Sequence, residues 1–237
     1  MTSFIHHGAG KRQFTRQMFS QIVDRYDFLN RSLSLGMDQK WRSRLLDTVN
    51  LQPGFRMLDL ACGTGDVSKL AGKRTQPGLV VGADPVPPML QIAARKCPSL
   101  KTVCCEGEAL PFGHGTFDAI TVAFGVRNFS DLEMGLQEIY RVLLPGGILA
   151  ILEFALPSAG IFRGFFAWYL KHVLPFTGAL FRRGEAYHYL TESIYHFPSA
   201  PEFVRLLGDI GLVELYREQY LGGTVQIVTG RKSTQAI

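Results

Sequence analysis

The fold is decided by the stretch Met57-Leu58-Asp59-Leu60-Ala61-Cys62-Gly63-Thr64-Gly65-Asp66. Its apolar run stops at two glycines, and helical spacing of apolar residues follows at Val67, Leu70 and Ala71. This pattern predicts a strand, a glycine turn and a helix. Glycines let backbone N–H groups approach a ligand, and the N-terminus of the following helix favours an anion there. We therefore expect a nucleotide-like ligand, although an ordinary strand-to-helix turn also accepts glycine.

An acid at the end of the next apolar run strengthens the ligand hypothesis. Asp84 closes the run that begins at Leu79, about 20 residues beyond the glycine turn, where nucleotide-binding folds place an acid that accepts from ribose hydroxyls. The third glycine of the dinucleotide motif G-x-G-x-x-G is missing, because Gly65 is followed by Asp66-Val67-Ser68 and then by Lys69 and Leu70. An NAD site is therefore disfavoured.

Beyond the turn, predicted strands alternate with predicted helices. This alternation is typical of a parallel sheet covered on both faces. The tail differs, since runs 213–220 and 224–231, joined at Leu221-Gly222-Gly223, predict a hairpin that pairs antiparallel at one edge. The predicted segments are 79–84, 101–105, 117–124 and 147–153 for strands, and 88–96 and 132–143 for helices.

Two helices are predicted before the first strand. Apolar residues recur at helical spacing over 11–23, and a second helix is expected over about 39–49. Residues 1–10 are predicted to be mobile. We expect an N-terminal helical lid over 1–50 and a domain over 51–237 that binds the nucleotide-like ligand, with a helical cover insertion at 160–200, all in a single structural domain.

Composition narrows the functional classes. The chain has 237 residues, of which 46% are hydrophobic, enough for one sizeable core. The net charge of +5 permits nucleic acid or an anionic membrane as partner, but no basic, aromatic-interleaved stripe is visible, so nucleic acid is not expected. The four cysteines lack zinc or disulfide spacing and no signal peptide opens the chain, which favours a cytoplasmic setting. The sequence contains no run of about 18 apolar residues without charges, so we expect no membrane-spanning helix.

Several motifs in order resemble the class I S-adenosylmethionine-dependent methyltransferases. They are the glycine turn, Asp84, and the segments 106–112 (Glu-Gly-Glu-Ala-Leu-Pro-Phe), 117–118 (Phe-Asp) and 141–147 (Arg-Val-Leu-Leu-Pro-Gly-Gly). Further segments resemble the C-methyltransferases of menaquinone and ubiquinone biosynthesis over about 11–232. These are 26–30 (Tyr-Asp-Phe-Leu-Asn), 124–128 (Phe-Gly-Val-Arg-Asn), 152–154 (Leu-Glu-Phe), 189–194 (Tyr-Leu-Thr-Glu-Ser-Ile) and 197–198 (Phe-Pro).

The resemblance implies an α/β, Rossmann-like class I methyltransferase fold with a mostly parallel seven-stranded sheet. It implies S-adenosylmethionine as cofactor, no metal, and C-methylation of a prenylated quinol, with Phe197-Pro198 favouring the menaquinone branch over the ubiquinone branch. A different small-molecule methyltransferase, acting on a sterol, a phospholipid amine or a polyketide, would share the cofactor motifs. The resemblance implies that the protein is located in the cytoplasm, at the inner face of the cell membrane or both. It leaves open whether the protein forms a homodimer.

Residue types in these motifs suggest roles in cofactor binding. The backbone near Gly63 and Gly65 would approach the amino-acid part of S-adenosylmethionine, the hydroxyl of Thr64 would add a contact, and Asp84 would accept from the ribose diol. Asp59 either contacts the ligand or orders the turn. Glu106 and the N–H of Gly107 would meet the adenine, although the family usually has Asp-Ala or Asn-Ala at these two positions and a serine at Ala123.

Two residues are candidates for catalysis. A quinol carbon becomes nucleophilic when its neighbouring hydroxyl loses a proton, and Arg127, just past the fourth strand, is placed to stabilise the phenolate. The alternative for Arg127 is a salt bridge to an acid such as Asp131. Tyr26 either donates to the quinol oxygen or packs the lid. Asn128 is read as a cap of the helix that begins near Asp131.

Two further features have both a functional and a structural interpretation. His188 and His196 flank 189–194, and a surface position is favoured over a proton relay. Residues 161–174 carry five aromatics that form either a buried lid helix or an apolar mouth for a polyprenyl tail resting on the bilayer interface. The second interpretation predicts peripheral membrane contact.

Overall fold

The computed structural model describes residues 7–74, 79–157 and 184–234, together with Gly164 and Trp168. Seven strands form one sheet in the order β3-β2-β1-β4-β5-β7-β6. The strands are β1 (Arg56–Leu60), β2 (Leu79–Ala83), β3 (Lys101–Val103), β4 (Phe117–Ala123), β5 (Leu143–Phe154), β6 (Leu212–Tyr220) and β7 (Val225–Lys232). The first five are parallel, and β7 pairs antiparallel with both β5 and β6. The predicted fold class, including the antiparallel hairpin, is confirmed.

Eight α-helices are described around this sheet. They are α1 (Gly8–Ile22), α2 (Tyr26–Leu33), α3 (Met37–Val49), α4 (Asp66–Arg74), α5 (Pro87–Lys96), α6 (Leu132–Val142), α7 (Gly184–Tyr195) and α8 (Ala200–Asp209). Short 3₁₀ turns occur at Val23–Arg25, Val126–Asn128 and Leu221–Gly223. The predicted segment 161–174 lies outside the described residues except for Gly164 and Trp168.

The prediction of two helices before β1 is wrong, because three are present. The short α2 places Tyr26, Leu29 and Leu33 on one side, and the chain leaves it through Gly36 at φ 76°. Of the residues predicted to be mobile, 1–10, residues 8–10 form the start of α1. The start of α1 is held by a hydrogen bond from Gly8 N to Ser130 O (3.2 Å), while residues 1–6 lie outside the described part.

The core occupies both faces of the sheet. Side chains of adjacent strand residues point to opposite faces, so Met57 packs with Trp41 and Leu45 of α3, whereas Leu58 packs in a separate cluster with residues of α6 and α8 such as Leu136. Each face is covered by helices, as expected for a parallel sheet. The carboxyl ends of β1, β2 and β4 are therefore left as the edge where a ligand can enter.

Candidate active site

Asp59 orders the glycine turn from beneath. Its carboxylate is fully buried and accepts from Ser68 N (3.0 Å), Ser68 Oγ (2.6 Å) and Thr121 Oγ1 (3.3 Å). Burial raises the pKa of Asp59 to about 6 against these hydrogen bonds. These bonds tie Asp59 to the start of α4 and to Thr121 of β4, which agrees with the turn-ordering interpretation.

Asp84 joins the glycine turn to the next strand end. One oxygen accepts from Gly63 N (2.9 Å) and the other from Val86 N (2.9 Å). Its side chain lines a small cavity beside the turn. Burial raises the pKa of Asp84 to about 6. Since each carboxylate oxygen has a second lone pair, Asp84 keeps acceptor capacity for a ligand's hydroxyl groups.

Two other residues of the turn, Thr64 and Gly65, are not among the residues that line this cavity. Gly65 has φ 81°, and a Cβ there would lie 2.9 Å from Ala93 Cβ of α5. Thr64 donates to Asp27 Oδ1 (2.5 Å) and accepts from Lys96 Nζ (3.0 Å). The structure therefore places the Thr64 hydroxyl in a polar cluster that fastens α2 to the turn.

Glu106 and Gly107 also line this cavity. Glu106 forms an ion pair with Arg16 of α1 (Oε1 to Nη2, 2.7 Å). A Cβ on Gly107 would lie 2.6 Å from the ring of Phe129, and Gly135 leaves room for the same ring on its other side. The Phe129 ring thus occupies the space that a side-chain methyl group at position 107 would need, so glycine is the residue that fits there.

Helix α1 covers this cavity. Thr15, Arg16 and Phe19 line it from above. Lys11 fastens the helix by donating to the carbonyls of Arg127 (2.9 Å) and Phe129 (2.6 Å), and burial lowers the pKa of Lys11 to about 8. The cavity walls are the backbone of the turn, Asp84, the pair Glu106-Gly107 and Phe129, a combination that suits a nucleoside carrying an amino-acid group.

A second, larger and apolar cavity adjoins the first. It has a volume of about 390 Å³ and lies between α1, α2, α3, the end of β5 and α7. Apolar and aromatic residues provide most of its walls, and they include Met18, Leu29, Leu33, Trp41, Phe154, Leu190 and Ile194. Its size falls in the range typical of small-molecule sites.

Three aromatic residues belong to both cavities: Phe19, Tyr26 and Phe124. Phe124 adopts φ 59°, a conformation that is uncommon for a bulky residue and that often marks a functional site. The Cε1 atom of Tyr26 lies 3.6 Å from the position of a Cβ on Gly63. A group held at the glycine turn and one held in the apolar cavity therefore meet at these three residues.

Arg127 lines the apolar cavity as a buried cation. Its Nη1 donates to Phe124 O (2.7 Å) and to Glu153 Oε1 (2.6 Å), while its Nε has no hydrogen-bond partner among the described residues. Glu153 is fully buried at the end of β5. The alternative partner proposed from sequence, Asp131, is wrong, because Asp131 instead accepts from Met134 N and caps α6.

Three other polar residues named from sequence can now be placed. Asn128 does not cap α6, since Asp131 does, and its Oδ1 accepts from Tyr189 OH (3.1 Å). Asn128 instead lines the small cavity. His188 and His196 are exposed, as the surface interpretation predicts.

Sequence reasoning missed several residues of the site. They are Lys11, Asp38, Arg42, Glu153 and the ring of Phe129. The family-like segment 152–154 drew attention to Glu153 without a role. The others carry no local signal, because their contacts span about a hundred residues or depend on where α1 and α3 pack.

Within the described part of the chain, no group of three or more His, Cys, Asp and Glu could hold a metal ion. Within the same part, no helix is both long and apolar enough to cross a bilayer.

Comparison with known proteins identifies the family. A sequence model of the ubiE/COQ5 methyltransferase family matches residues 8–232. A ubiquinone/menaquinone biosynthesis C-methyltransferase UbiE of Geobacter sulfurreducens is 39% identical over 94% of this chain and 90% of its own length. A demethylmenaquinone methyltransferase of Thermus thermophilus is 47% identical over 80% of this chain and 88% of its own.

Solved structures agree on the fold. The chain resembles an S-adenosylmethionine-dependent methyltransferase of Thermotoga maritima (TM-score 0.66, 18% identity, 92% of this chain and 99% of that one). It also resembles the [4+2]-cyclase SpnF (TM-score 0.70, 17% identity, 98% of this chain and 100% of that one). Since a cyclase shares it, the fold alone does not decide the chemistry; the sequence relatives do. The chain belongs to the ubiE/COQ5 methyltransferase family and is an S-adenosylmethionine-dependent methyltransferase.

Proposed function

We propose that the enzyme methylates a ring carbon of a prenylated quinol, converting demethylmenaquinol to menaquinol. The observation that carries this proposal is the meeting of two cavities at Phe19, Tyr26 and Phe124, with the buried cation Arg127 on the apolar side. A flat, lipophilic ring suits the apolar cavity, and a cation suits a ring oxygen that becomes negative. The names of the relatives support a quinone substrate; a benzoquinol of the ubiquinone branch is the alternative.

The small cavity offers a set of residues for S-adenosylmethionine, which when bound supplies an electrophilic methyl group. In our proposal the backbone near Gly63 holds the amino-acid part and Asp84 accepts from the ribose hydroxyls. Glu106 and the N–H of Gly107 face the adenine. The cofactor is not contacted directly by the side chains of Asp59 and Thr64 or by Gly65 in this proposal. These residues instead fix the conformation of the glycine turn, through hydrogen bonds or close packing.

The apolar cavity offers what the quinol requires. Methyl transfer needs an aligned nucleophile and the exclusion of water more than it needs an acid. Arg127 stabilises the phenolate through its Nη2 donors, while Glu153 and Phe124 O hold Nη1 and orient the guanidinium. Tyr26 packs at the junction and donates to the same oxygen.

Anaerobic incubation of the purified protein with S-adenosylmethionine and one quinol at a time tests this function. The substrates are reduced demethylmenaquinone and the prenylated benzoquinol precursor, and mass spectrometry locates the added methyl group. Ring-carbon methylation of the naphthoquinol supports the menaquinone branch. Methylation of neither quinol would reject the proposal in favour of another lipophilic substrate.

Asp84→Asn is expected to weaken S-adenosylmethionine binding by about 1.5–3 kcal/mol at pH 8, the usual contribution of hydrogen bonds to a charged group. The free carboxyl group has a pKa of about 6, and the ribose hydroxyls donate best to its ionised form. Affinity of the wild type should therefore be full above pH 6 and fall as the pH drops through 6, by at most about tenfold per pH unit.

Isothermal titration calorimetry between pH 5 and 8 measures both effects. The Asp84→Asn variant provides the control for other groups, since Asp59 also has a pKa of about 6 and remains in the variant. We expect a flat affinity profile for the variant. An equally steep profile in both proteins would assign the pH dependence to another carboxyl group and remove Asp84 from the ribose site.

We propose further that the enzyme contacts the membrane surface through residues 161–174, whose aromatic content motivates the idea. Substituting Phe165 and Phe166 with Ser should reduce co-sedimentation with anionic vesicles. It should also raise KM for a long-tailed quinol several-fold while leaving KM for a tail-less quinol unchanged. Equal effects on the two substrates would mean that the segment is ordinary core.

A further inference from the structure

Arg42 is a second buried cation in the apolar cavity. It belongs to α3, lines the cavity, and is only 6% exposed. Among the described residues, the one carboxylate within 4 Å of it is that of Asp38, at 3.6 Å from Nε, which is beyond hydrogen-bond distance. Asp59 and Asp66 are further away and interact with Arg42 through its charge alone. Nothing in the sequence pattern marks this residue as part of a site.

The donors of Arg42 are unusually free for a buried guanidinium. The group has five N–H donors, and none of them makes a hydrogen bond within the described part of the chain. Because Nε is shielded, the two Nη groups are the donors that a ligand can reach. Asp38 is already bonded to Ser34 Oγ (3.0 Å) and to Gln39 Nε2 (2.9 Å). Buried polar groups are almost always hydrogen-bonded, so we expect a bound ligand to provide an acceptor for the donors of Arg42.

The two arginines of the cavity flank one aromatic pair. The guanidinium of Arg42 lies 5.4 Å from the ring centroid of Phe124, and that of Arg127 lies 5.3 Å from the ring centroid of Phe154. The two rings are 4.8 Å apart. The two cations therefore lie beside the same aromatic pair, and both line the same cavity.

We propose that Arg42 binds the second oxygen of the quinol, the one remote from the methylated carbon, and thereby selects substrates with two ring oxygens. This inference rests on the proposed function, in which Arg127 serves the oxygen next to the reacting carbon. A quinol carries oxygens at opposite ends of its ring, and the remote one loses its hydration on entering the apolar cavity. Arg42 replaces that hydration, because its N–H groups make no hydrogen bond to the described residues and the donors of Arg127 serve the other oxygen.

Anaerobic calorimetry with two tail-less probes, 1,4-naphthalenediol and 1-naphthol, tests the proposal. The diol uses both cations, whereas 1-naphthol uses one, whichever way round it binds. We expect the wild type to bind the diol roughly tenfold to hundredfold more tightly than the one-oxygen probe. Arg42→Met should reduce this ratio to about threefold or less, and Arg42→Lys should keep part of it because the charge remains.

Controls separate a contact with oxygen from a structural role. Arg44→Met alters an exposed arginine of the same helix, paired with Glu218, and should leave the ratio unchanged. The Asp38→Asn/Arg42→Met double variant removes the buried pair together and should behave as Arg42→Met if that variant melts early. A ratio unchanged in Arg42→Met, with both probes weakened alike, would overturn the proposal, as would equal binding of the two probes by the wild type. Turnover is not needed, so failure of methyl transfer tests only the proposed function.

Discussion

Arg127→Ala should lower the turnover number for the quinol by roughly 10² to 10³, the scale observed on losing one donor to a developing oxyanion. The affinity for S-adenosylmethionine should stay nearly intact, because Arg127 lines the apolar cavity and not the small one. Arg127→Lys should recover only part of the loss, since a point charge does not reproduce the planar guanidinium. Single-turnover methyl transfer at saturating cofactor and quinol measures the effect.

The structure adds a complication that the sequence did not show. Glu153 is fully buried and is the ion-pair partner of Arg127. Removing one member of a buried pair typically costs about 3 to 5 kcal/mol of stability. Slow turnover of Arg127→Ala could therefore reflect partial unfolding and not a lost interaction with the phenolate.

A double variant resolves this ambiguity. Arg127→Ala/Glu153→Gln removes the buried charge and should melt closer to the wild type, yet its turnover should remain as low as that of Arg127→Ala. Glu153→Gln alone keeps the cation and should lose less activity. If the double variant regains wild-type turnover together with its stability, Arg127 is a structural residue, and Tyr26 or solvent must assist the deprotonation.

The backbone-level prediction succeeded where the signal was local and periodic. An apolar run that ends in glycines predicts the turn at Gly63. Strand-like runs on either side of Gly222-Gly223 predict the two tail strands, and the structure confirms both predictions. Helix α2 was missed because its eight residues are too short to display more than two turns of helical spacing.

Side-chain roles were harder to predict because they depend on which elements pack together. Thr64 looked free to bind a ligand, but α2 brings Asp27 to its hydroxyl. The partner of Arg127 was sought nearby at Asp131, whereas the structure supplies Glu153 from the neighbouring strand. Parallel strands place residues far apart in sequence at one edge, and sequence spacing does not show which of them will pair.

Gly63→Val is expected to abolish measurable S-adenosylmethionine binding. Gly63 has φ 53°, a region that a β-branched residue adopts only with strain. A Cβ at this position would contact Tyr26 Cε1 at 3.6 Å, so the methyl groups of valine would extend into the junction of the two cavities. The substitution would also strain the turn that sets the hydrogen bond from Gly63 N to Asp84.

Gly63→Ala separates these two effects, and Gly72→Ala provides the matched control. Alanine at 63 should bind more weakly than the wild type, because its φ is strained by about 1–2 kcal/mol while the cavity stays open. At Gly72, in α4, a Cβ would meet nothing within 4 Å and φ is helical, so this variant should bind normally and melt slightly higher. Calorimetry and thermal melting on the four proteins decide the matter. If Gly63→Val binds the cofactor within about threefold of the Gly72→Ala control, the backbone at Gly63 does not approach the ligand, and the cofactor must be held mainly by Asp84 and the Glu106 side of the cavity.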